Sequence, residues 1–102
     1  MSVGRSAIDL DGLPGAELVN DGVADLRIGR DTAYAALVGT AAPRLRELGI
    51  AVPETASNQP SSHRLYELLS QEDPAGAYGR YNALLGRMAS FANAAEQRAA
   101  QR

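Results

Sequence analysis

From Pro74 to about Gln97 the chain reads as one helix with two contrasting faces, and this segment constrains the fold more than any other. Ala77, Tyr81, Leu84, Met88, Phe91 and Ala95 recur at steps of four and three, the period of a helical stripe that must be buried against other elements. Tyr78, Leu85 and Ala92 widen the stripe on one side. The opposite side carries Ala75, Gly79, Ala83, Gly86, Ser90 and Asn93, where a solvated helix normally places Glu, Lys or Arg. Each interior glycine costs about 1 kcal/mol relative to alanine. The small face is therefore expected to gain from the close approach of a second helix. In a chain of 102 residues such a helix leaves room for one modest core built with shorter partners.

Those partners can be read upstream. Pro14 is placed for the first turn of a helix that ends before Gly29, with Val19, Val23 and Leu26 on one face, Leu18 at its edge, and Glu17, Asp21 and Asp25 on another. Asp31 is positioned to cap a second helix over 32–38, interrupted by Gly39 and Thr40. A third, over 41–48, stops at Gly49, with Ile50 set for the apolar contact of a C-terminal cap. Residues 51–61 hold two prolines and a polar run and form a loop. A fourth helix follows, capped by Ser61 or Ser62 and burying Leu65, Leu68 and Leu69, with Tyr66 on its flank. Asp73-Pro74 then reads as a cap and first residue of the long helix. No strand alternation and no internal repeat interrupt this pattern. The expected fold is all-α, a compact bundle of four to five helices. The expected organisation is an N-terminal arm over 1–12, one domain over 13–99 and a frayed tail over 100–102.

Composition narrows the function classes. All ten basic residues are arginine, against twelve acidic ones, for a formal charge of −2; this balance argues against generic polyanion binding. Abundant Arg, Ala and Gly without lysine is the composition of a high-GC bacterial genome. Charge alternates in blocks, net −4 over 1–26, +3 over 27–46, −4 over 47–73 and +3 over 74–102. Such blocks pair within one domain or between copies. The chain has no cysteine, hence no disulfide and no thiolate chemistry. No apolar run approaches a bilayer span, and the first twelve residues, with Asp9 and Asp11, lack the apolar core of a signal peptide. A cytoplasmic protein without membrane contact is expected.

Residues able to carry chemistry are few. Asp9-Leu10-Asp11-Gly12 has part of a calcium loop, but Leu18 stands where the bidentate Glu belongs, so it reads as a turn. Glu17, Asp21 and Asp25 form an acidic ridge without the further ligands a cation needs. His63 is the only histidine, and nothing in the sequence positions a nucleophile or acid beside it. The residues call for no enzyme, no cofactor and no metal. Tyr66, Tyr78 and Tyr81, at helical spacing, read as core rather than as a ligand surface.

Two interaction readings remain. In the first, a homodimer or a protein partner meets the C-terminal helix, with Gly79, Ala83 and Gly86 setting the close approach and Arg80 and Arg87 at the rim, where coiled-coil e and g residues select partners. In the second, 30–50 resembles a helix-turn-helix in outline: Ala35 and Gly39 have its turn spacing, Leu45 and Leu48 fill the inner side, and Arg44 and Arg46 face nucleic acid. Thr40 at an apolar position, Pro43 within the second helix and the early stop at Gly49 count against it. The first reading leads; a small DNA-binding regulator or antitoxin-like protein is the alternative.

Overall fold

The structure, a computed structural model, describes residues 12–54 and 60–100. Asp9–Asp11 of the expected turn, most of the N-terminal arm, part of the loop before the fourth helix and the last two residues lie outside the described residues. Five helices follow in order: α1 (Ala16–Arg27), α2 (Ala33–Thr40), α3 (Ala42–Glu47), α4 (Ser61–Glu72) and α5 (Ala77–Ala100). The fold is all-α, with no strand among the described residues. At 1.5 Å per residue α5 is roughly 36 Å long, most of the 43 Å long axis of the molecule.

The core forms around α2. Ala35, Ala36, Leu37 and Val38 are all buried, so this helix is apolar on every side and takes the central place, between α1 and α4. Leu18 and Val19 of α1, Leu45 of α3, Leu65 and Leu69 of α4 and Phe91 of α5 are almost fully buried around it. The stripe predicted on α5 is the buried one: Ala77, Leu84, Met88, Phe91 and Ala95 face the core, with Tyr81 and Leu85 partly covered.

Within the chain a close helix approach occurs at Gly22 of α1. A Cβ there would lie 2.4 Å from Cγ2 of Val38 and 2.5 Å from the Tyr34 carbonyl oxygen. Only a residue without a side chain lets α1 settle onto α2 at that distance.

Several boundaries differ from the sequence expectation, each for a local reason. Pro14 precedes α1 instead of opening it. The Ala16 N–H donates to the Leu13 carbonyl and Gly15 adopts φ 81°, ψ 4°, the Pro-Gly pattern of a type II turn. The second helix is capped by Thr32, not Asp31. The Thr32 hydroxyl accepts from the Ala35 N–H at 3.1 Å and donates to Asp25 at 2.6 Å, while Arg64 takes Asp31. Gly39 does not break α2, which runs to Thr40; the break falls on Ala41, one residue before α3. Neither Ser61 nor Ser62 caps α4, whose cap position is Pro60. Asp73-Pro74-Ala75-Gly76 forms a turn before α5. The proline forces Asp73 out of the helical region, to φ −152° and ψ 85°, and the Asp73 side chain accepts from the Gly76 N–H. Gly49 ends α3 as expected: with φ 91° it lets Ile50 and Gly49 donate to the Leu45 and Arg46 carbonyls, a Schellman cap. Gly29 ends α1 the same way, with Arg30 donating to the Asp25 carbonyl.

Candidate functional site

A helix that buries one stripe must present the other, and on α5 the presented stripe is nearly free of charge. Gly79, Asn82, Ala83, Gly86, Ala89, Ser90 and Asn93 are all exposed. A Cβ built on Gly79 or Gly86 would meet nothing within 4 Å. Packing within the chain therefore gives no reason for either glycine.

Three charged side chains bordering this stripe, Arg80, Arg87 and Glu96, are each turned to a partner in another element. Arg80 reaches Glu72 at the end of α4, at 3.2 Å. Arg87 donates to Glu17 of α1 at 2.5 Å. Glu96 receives the fork of Arg44, with Nε at 2.6 Å and Nη2 at 2.9 Å, and Nη2 also donates to Asn93. The Arg44 hydrogen bonds hold the Glu96 carboxyl below the usual carboxylate range, and the Glu96 contact raises Arg44. These bonds bind α5 to α1, α3 and α4 along both flanks, and two of them, Arg80 with Glu72 and Arg87 with Glu17, join opposite charge blocks of the sequence within the chain.

Of the predicted partner-facing residues, Gly79, Ala83 and Gly86 lie together on the open stripe. Arg80 and Arg87 lie at its edge, as expected, with their guanidinium groups already engaged. Arg44 and Arg46, the predicted nucleic-acid contacts, are both on α3. Arg44 is committed to Glu96 and Asn93, and Arg46 donates to the Val52 carbonyl at 2.7 and 3.2 Å. The three-residue turn that a helix-turn-helix places around its glycine is absent there, since Gly39 is helical.

The remaining candidates are dispersed. His63 is exposed near the start of α4. Of the acidic ridge, Glu17 is held by Arg87 and Asp25 by Thr32 and, more distantly, Arg30. Among the described residues no three His, Cys, Asp or Glu side chains are grouped to hold a metal ion. Tyr66 and Tyr81 pack edge to face at 5.6 Å, while Tyr78, read as core, is 68% exposed. No described helix is long and apolar enough to cross a membrane.

Sequence reasoning overlooked two features. Gly22 is one; its signal is its spacing, four after Leu18, three after Val19 and four before Leu26, which places it on the apolar face of α1. The exposed Ile28 was overlooked too; its one signal is its place directly before Gly29, at the helix end. Compared with known proteins, the chain matches no family model, no curated protein and no solved structure.

Proposed function

We propose that this chain is a small helical interaction module that pairs through the solvent face of α5, with a second copy of itself or with another protein. One observation carries the reading. A Cβ on either glycine of that face would meet nothing within 4 Å among the described residues, although each glycine weakens the helix by about 1 kcal/mol, and Arg80 and Arg87 beside them are drawn off to a flank. A neutral, low-relief helical surface lets a second helix approach at the short end of the usual 8–10 Å interaxial range. It also avoids the cost of desolvating a charge at the centre of an interface. Contact with nucleic acid through Arg44 and Arg46 is the weaker reading, because both guanidinium groups are spent on intrachain acceptors.

The structure makes Gly86→Glu a clean test. The site is helical and open, so glutamate folds there without a clash and improves helix propensity. The variant is expected to keep the wild-type circular dichroism spectrum and to lose self-association in sedimentation or, in capture from a nuclease-treated lysate, its bound protein. A variant that behaves as wild type in both experiments overturns the proposal.

A further inference from the structure

We draw no further inference here: the strongest candidate, the open depression at the ends of α1 and α3 lined by Arg27, Arg46 and Gly49–Pro53, carries nothing, because Glu54 and the two helix C-termini offset its arginines and nothing in the structure shows what covers it.

Discussion

Gly22 and Gly86 both lie inside helices, and replacing each by alanine is predicted to move stability in opposite directions. Helix propensity favours alanine by about 1 kcal/mol at either site. At Gly86 nothing opposes this gain, because the new methyl group enters open space. At Gly22 it would sit 2.4 Å from a Val38 methyl and 2.5 Å from the Tyr34 carbonyl oxygen. The valine can rotate, but the carbonyl is fixed in α2. Relief therefore requires α1 to move off α2 by about 1 Å, enough to forfeit a quarter to a half of each contact well along the seam. Overpacking of this kind costs about 1–3 kcal/mol; a backbone clash belongs at the upper end, which leaves about 2 kcal/mol of net loss. For a domain of this size 1 kcal/mol shifts the melting temperature by about 4–8 °C. Gly22→Ala is thus expected to lower it by about 8–16 °C and Gly86→Ala to raise it by about 4–8 °C. Thermal melts by circular dichroism at low protein concentration read both. A Gly22→Ala variant as stable as wild type would refute the α1–α2 packing.

Further outcomes follow from single side chains. Thr32→Ala is expected to cost about 1 kcal/mol by removing the cap of α2, whereas Thr32→Ser retains most of it; urea titration separates the two. Phe91→Ala empties the largest fully buried side chain and is expected to cost about 3–5 kcal/mol, enough to leave much of the chain unfolded by the same titration. The Glu96 carboxyl is depressed in the folded state by Arg44, so its pairing contributes above the unfolded carboxylate pKa and is lost as pH falls through the folded value. The melting temperatures of wild type and Glu96→Gln should therefore differ at neutral pH and converge in acid. A gap that persists in acid would assign the effect to something other than the ion pair.

The long helix was legible because its apolar residues keep one period over five turns, and no other assignment buries Leu84, Met88 and Phe91 together. The end of α3 was legible because Gly49 and Ile50 supply both parts of a Schellman cap within two residues. Helix starts were harder to read. Asp31 and Thr32 are both competent caps, and the choice between them is made by Arg64, thirty-odd residues away, which captures Asp31. Pro14 and Pro74 satisfy the rule for a first helical residue, but Gly15 directly after the first and Gly76 two residues after the second complete turns, and the turn prevails. Smallness at Gly22 serves packing within the chain and smallness at Gly79 and Gly86 does not, and only the position of α2, set by long-range contacts, distinguishes them. For the candidate site, sequence placed Gly79, Ala83 and Gly86 on one face. It could not show that Arg80, Arg87 and Arg44 were already paired, since pairing depends on which helices lie side by side.

The most direct test of the α5 face uses the absence of cysteine from the chain. Single cysteines introduced as Gly86→Cys, Asn82→Cys and, on α3, Glu47→Cys can each carry a benzophenone photo-crosslinker, with irradiation in a lysate of the cells that make the protein. The account predicts a discrete adduct, with a second copy or with one other protein, from the two α5 positions and none from Glu47→Cys. Adducts of equal yield from all three positions, or none from α5, would contradict it.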